Sequence, residues 1–391
     1  MKCVQSYRRL GRPRVSSRPL RGVTRQANSS LKHRISIDQL ETCAFLTLPE
    51  SAKQCPPPGA MGPQFIPADS NDEQDRLLNE LFMPPFRKGY VRVGPNKVLL
   101  PLYYLDYAGR IEDMEVRDSD VWIVSHPKAG TTWTQEMAWV INQDFDFEGA
   151  KVPLPERFPF LDHTPLFDYT DILPNLPELQ LPLFVSDSVT YINEMKSPRY
   201  IKTHLPWELL PKQIREGTKK PKIIYVARNA KDTCVSYYHH CKILEGYSGS
   251  FDNYCKLFLG GSLCFAPFWP HVLNFWKRRD EPNILFLKYE DLKKDLPAVI
   301  RKTAAFLGKD LNEEQVDLLA EHLSFARMKS NPAVNYEAAI EINRRFNLTT
   351  ADGHFMRSGQ VGNYKEVMGP ELIAEFDRWT QENLAKSELT F

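Results

Sequence analysis

The sequence predicts an α/β fold: a single domain with a central parallel sheet, helices on both faces, and a strand–loop–helix resembling a phosphate-binding loop. Three observations carry this expectation. Four short runs, "VWIVSH", "RYIKTH", "KIIYVAR" and "NILFLKY", are apolar at successive positions, the pattern of strands covered on both faces. Long segments of helical spacing or loop separate them, as crossovers between parallel strands require. The first run breaks at "HPKAGTTW" into a polar turn with one glycine and resumes at helical spacing. A hydrophobic content of 42% with 25% charged residues suits a globular core. No run approaches the roughly 18 apolar residues of a membrane span.

Taken in order, residues 1 to 37 carry ten Lys and Arg and no Asp or Glu, which leaves about −9 for the rest of a chain whose total is +1. This arm reads as a disordered extension, with an organelle transit peptide as the alternative its composition also resembles, so a cytoplasmic location is expected with a mitochondrial one as the alternative. Met61 could be a second start. Residues 1–70, which include the proline-rich "PPPGAMGPQFIP", read as a disordered basic extension and linker, and residues 75–391 as the folded domain. Between Asp144 and Arg199 eight prolines interrupt a stretch too long for a plain connection, which reads as a surface excursion or a lid over a pocket. Seven cysteines form no C-x-x-C pair and no metal-ligand spacing, so reduced thiols and no metal are expected.

The chemistry concentrates at the first strand. A strand ending at Ser125, a turn through Pro127, Lys128, Ala129 and Gly130, and a helix opening on Thr131 and Thr132 would aim backbone N–H groups and a positive helix end at an anion. Trp133 offers a face that could stack on a base. The nucleotide-triphosphatase pattern places its lysine directly after the second glycine, whereas Lys128 precedes the only glycine by two residues.

With these residues in view, "HPKAGTTW" closely resembles the P-K-x-G-T-T-W signature of the cytosolic sulfotransferases. "YIKTHLP", "YVARNAKDTCVSYYHH", "LKYEDL" and "FMRSGQVGNYK" resemble that family's further motifs in the right order, together spanning roughly residue 85 to the C-terminus. The resemblance implies a co-substrate, 3'-phosphoadenosine-5'-phosphosulfate (PAPS), and transfer of its sulfuryl group to a hydroxyl or amine of a small lipophilic acceptor, without metal. It assigns Lys128 and the N–H groups of Gly130, Thr131 and Thr132 to the 5' end, with Lys128 near the bridging oxygen. Arg228 and Ser236 are assigned to the 3'-phosphate. Arg357, Ser358 and Gly359 resemble the late R-K-G motif, with Ser358 in place of its lysine. Trp133, Tyr289, Phe325 and Met328 form the adenine platform by the same resemblance, and Leu323 stands where many relatives have threonine.

His204, in the "KTHLP" context, matches the family's general base, and an imidazole suits proton abstraction near neutral pH. Lys202, two residues earlier in an extended strand, points to the same side. Phe160 falls in the segment that covers the acceptor pocket in relatives, and His163 and His240 stand at places often aromatic there. Competing readings are a nucleotide kinase, a member that uses transient sulfonation to drive dehydration, and a binder without catalysis. Nucleic acid is not an expected partner. The family's dimer motif K-x-x-x-T-V-x-x-x-E would begin at Lys365, but the sequence reads "KEVMGPELIA", so a homodimer is open and that contact is degraded.

Overall fold

The computed structural model describes residues 65–67, 72–82, 84–349 and 351–391, and these hold seven strands in two sheets. Strands β1 (Phe65–Pro67), β2 (Tyr90–Val93) and β3 (Val98–Pro101) form a small antiparallel sheet. Strands β4 (Val121–Val124), β5 (Tyr200–Thr203), β6 (Lys222–Ala227) and β7 (Ile284–Lys288) form the central sheet, all parallel, in the order β5–β4–β6–β7. These four are the strands expected from the apolar runs. Successive residues serve opposite layers: Val121 and Ile123 of β4 join one core, Trp122 and Val124 the other. A strand buried on both faces has no polar side to show, hence the unbroken apolar pattern.

Helices cover both faces. On one side lie α1 (Thr131–Asn142) and α4 (Leu296–Leu307), and on the other α2 (Ala230–Leu244), α3 (Phe268–Trp276) and α7 (Pro370–Leu384). The helices α5 (Phe325–Ser330) and α6 (Glu337–Arg345) lie between α4 and α7 in the chain. The sheet order places the site. The connection leaving β4 leads to β5 on one side, and β6 lies on the other, so a crevice opens at the carboxyl end of β4. The loop "HPKAG" lies there, directly after the strand.

Two features depart from the sequence reading. β1 lies inside the stretch read as linker, and its three residues pair with β2. The hairpin β2–β3 was not anticipated either, although "YVRVGPNKVLL" carries its signal: two β-rich runs around a Gly-Pro-Asn turn. The basic arm lies outside the described residues, all of which belong to one unit, Met61–Phe391. The proline-rich segment 144–199 folds into short helices, among them Leu154–Arg157, His163–Leu166, Leu183–Ser186 and Ser188–Glu194, because proline keeps interrupting longer ones.

Candidate active site

The loop after β4 is shaped for close approach. Gly130 caps α1 with φ 113°, and a Cβ there would lie 2.9 Å from the Tyr289 ring. Only glycine tolerates both the conformation and the contact. Lys128 also has positive φ, 66°. The N–H groups of Thr131, Thr132 and Trp133, in the first turn of α1, have no intrahelical acceptor. Ala129 is different. It is buried, and its N–H bonds the His126 carbonyl at 3.4 Å, so of the loop residues singled out it alone does not face the cavity described below.

A cavity of about 480 Å³ joins this loop to the other candidate residues. Lys128, Gly130, Thr131, Thr132, Trp133, Phe160, His163, Lys202, His204, Arg228, Ser236, His240, Tyr289, Phe325, Met328, Arg357, Ser358 and Gly359 all line it. Residues separated by more than two hundred positions therefore share one space.

Beside the Tyr289 ring, Arg228 leaves β6 with its guanidinium over that ring, 4.3 Å from the centroid, and donates from Nη2 to the Gln360 carbonyl at 2.8 Å. Its Nε is buried and has no partner. Ser236 lies on α2, beyond Asp232, whose carboxylate accepts from the N–H groups of Gly362 (2.7 Å) and Tyr364 (3.1 Å). Asp232 thus ties the late loop to α2. Arg357 is exposed and bonds Asn363, and Ser358 Oγ lies 3.5 Å from the same Asn363 oxygen. Gly359, φ 62°, lies against Phe325 so closely that a Cβ would be 2.3 Å from the ring. Trp133 meets Tyr289 edge-on at 5.7 Å, and Met328 is buried nearby in the cavity wall.

Elsewhere in the cavity, Lys128 Nζ lies 3.6 Å from the centroid of Phe355, and Lys202 Nζ lies 4.0 Å from that of Phe160. Neither lysine pairs with a carboxylate among the described residues. Burial first, then Lys202 and Arg228, push the Lys128 pKa down to about 7, and burial pushes Lys202 down to about 8. His204 follows β5, and its Nδ1 lies 2.7 Å from the Ser125 carbonyl. A carbonyl only accepts, so Nδ1 carries the hydrogen and Nε2 is left with its lone pair. Burial and Lys202 hold the ring well below the ordinary histidine range, and so neutral.

The wall around His204 mixes aromatic and polar groups. Phe160 packs edge-on against His204 at 5.0 Å, and Phe265 does so at 5.5 Å. Burial lowers His163 and His240 to about 4, so both are neutral at pH 7. His240 Nε2 lies 3.4 Å from Glu245, itself in the wall. Leu179 to Pro182, Phe184, Val185 and part of α6 also line the cavity.

Three neighbours escaped sequence reasoning. Asp162 accepts from the His204 N–H at 2.6 Å and from Thr203 Oγ1 at 2.5 Å. Burial raises its pKa to about 7. Its signal was an acid inside the apolar "FPFLDH". Phe355 opens the motif "FMRSGQVGNYK" without being singled out there, and Phe265 carried no signal beyond aromaticity.

The family model described as a sulfotransferase domain matches residues 118–388. The chain belongs to the sulfotransferase family. Among its relatives in that family, a luciferin sulfotransferase of Photinus pyralis is 44% identical over 82% of this chain and 86% of its own length. An amine sulfotransferase of Oryctolagus cuniculus is 36% identical over 72% of this chain and 86% of its own. A crystal structure of retinol dehydratase with androsterone and the inactive cofactor PAP superposes with a TM-score of 0.76 at 33% identity, covering 84% of this chain and 98% of that one. The sulfotransferase fold is the α/β architecture expected from the apolar runs, and the chain is accordingly an enzyme of the transferase class.

Proposed function

We propose that the chain transfers a sulfuryl group from PAPS to the hydroxyl, or amine, of a small lipophilic acceptor, with His204 as general base. One observation carries the reading: an imidazole whose Nδ1–H is spent on the Ser125 carbonyl presents a bare Nε2 in the cavity that also holds two unpaired lysines and a helix N-terminus. The residues fit the nucleotide. Gly130 and Gly359 let the two loops pack directly against the Tyr289 and Phe325 rings of the cavity wall, and the buried Arg228 Nε awaits an acceptor. Solved relatives bound to PAP support the same co-substrate.

When bound, PAPS supplies the sulfuryl group and departs as adenosine 3',5'-bisphosphate. His204 Nε2 takes the acceptor's proton as its oxygen or nitrogen attacks. Lys128 and the N–H groups of Thr131 and Thr132 present positive charge to the 5' end, and Lys202 to the transferring group. Arg228, Ser236 and Gly359 hold the 3'-phosphate end, and the Trp133, Tyr289, Phe325 and Met328 side chains hold the base. Phe160, His163 and His240 line the acceptor's space.

The test is incubation with labelled PAPS and a panel of phenols, sterols, retinoids and amines. Sulfonated product is expected. Dehydrated product would favour the transient-sulfonation reading, and no turnover with intact nucleotide binding would leave only a binder. His204→Ala should lower turnover by ~10²- to 10⁴-fold with nucleotide affinity nearly unchanged, and parental turnover in that variant would end its assignment as base.

A further inference from the structure

His204 is held at three points. Its ring donates to Ser125 and its N–H to Asp162, and its own carbonyl oxygen lies 2.8 Å from His271 Nε2. His271, on α3, is 67 positions away in sequence and buried. Since a carbonyl can only accept, His271 Nε2 carries the hydrogen, which leaves Nδ1 as an acceptor. Tyr225 Oη lies 2.8 Å from that Nδ1 and is its donor. The order is therefore Tyr225 to His271 to the His204 backbone. Tyr225 is in turn fixed, stacked on Phe275 at 4.3 Å and Phe286 at 5.3 Å in the layer behind the sheet.

From this chain we propose that Tyr225 and His271 are positioning residues that set the backbone of His204, and through it the direction of Nε2. The physical need is plain. His204 follows the last residue of β5, where the sheet ladder no longer fixes the backbone, so its carbonyl would otherwise be a buried acceptor in want of a donor. Asp162 grips the N–H side and His271 the carbonyl side, so both peptide planes flanking the imidazole are pinned, and a base must be held to fractions of an ångström to act. Neither Tyr225 nor His271 lines the cavity, so neither touches substrate.

The inference rests on the reading of His204 as base, and the test separates the two. His271→Leu should lower kcat ~10-fold or more in the parent enzyme but less than about twofold in the His204→Ala background, because the relay acts only through the imidazole. His271→Gln, which keeps a donor and an acceptor, should restore most of the rate. Affinity for adenosine 3',5'-bisphosphate should stay within about twofold throughout. Should His271→Leu not fold, Tyr225→Phe carries the same cycle with a smaller expected loss of about threefold. An equal loss in both backgrounds, or no loss in the parent when His204→Ala itself lowers turnover, overturns the proposal. Independently of turnover, the Nδ1–H proton resonance of His204 should shift or broaden in the His271 and Tyr225 variants. If it does so while His204→Ala keeps parental turnover, positioning stands and the base assignment falls. An unmoved resonance overturns the positioning.

Discussion

Lys128 sits where burial and three neighbouring cations, Lys202, Arg228 and Arg357, all disfavour its charge, and the consequence is measurable as pH dependence. Its pKa falls from the ordinary 10.5 to about 7 in the nucleotide-free protein. A bound phosphate group would restore the missing counter-charge and raise that pKa, so nucleotide binding takes up a proton between pH 7 and 10.5. Affinity for adenosine 3',5'-bisphosphate should therefore weaken as pH rises through this window, by up to about tenfold per unit for one lysine. Lys202, lowered to about 8, adds to the effect above that value. In folding terms the sign is opposite: the folded chain binds fewer protons than the unfolded one, so relative stability is full above 10.5 and is lost as pH falls through about 7. Calorimetry in buffers of different ionisation enthalpy reads the proton uptake directly, and a flat affinity from pH 7 to 9 would contradict it. Arg228→Ala should act otherwise, costing about 1.5 to 3 kcal/mol of nucleotide binding through a lost charge-assisted contact, while the affinity of Lys128→Met should lose much of its pH dependence.

Elements divide their labour along the sheet. The candidate site residues gather at the carboxyl ends of β4, β5 and β6, while at the opposite end Asp120 and Arg199, both fully buried, form a bidentate pair with contacts of 2.9 and 2.6 Å just before β4 and β5 begin. Removing one partner strands a buried charge. Asp120→Ala should therefore cost ~3 to 5 kcal/mol of stability in denaturant titration, while kcat of the folded fraction stays near the parent's. The late loop is the converse case. It rests on Phe325 through Gly359 and on Asp232 through the Gly362 and Tyr364 N–H groups, so its position depends on packing against α5 and α2. Gly359→Ala forces a Cβ into the Phe325 ring at positive φ and should weaken nucleotide binding by ~10-fold or more at nearly unchanged thermal stability. Equal loss of stability and affinity would mean the loop is structural. The dimer-motif region has a local explanation of its own: Gly369 and Pro370, in place of Thr and Val, serve as N-cap and first residue of α7.

At the scale of the molecule, every candidate residue lies within Met61–Phe391, so removing residues 1–60 should leave kcat/KM unchanged, and loss of activity in a folded truncation would place part of the site in the arm. Much of this architecture was legible beforehand. The four central strands could be read because burial on both faces writes itself into consecutive apolar residues, a strictly local mark. The loop from Pro127 to Trp133 was legible because glycine, lysine and a helix start must be contiguous to hold an anion. Family motifs then supplied Arg228, Ser236 and the late loop. The strand β1 went unread because three residues hardly differ locally from coil, whereas the hairpin β2–β3 had a turn signal in "YVRVGPNKVLL" that the reading passed over. What only the tertiary structure decided is which side chains complete one another. Asp162 reaches the His204 N–H across 42 positions, and Phe355 and Phe160 come to lie over the two lysines. The tautomer of His204 depends on a carbonyl 79 positions away. Such contacts form when the crossovers fold the chain back on the sheet, and sequence spacing holds no trace of them because packing, not proximity along the chain, brings the partners together.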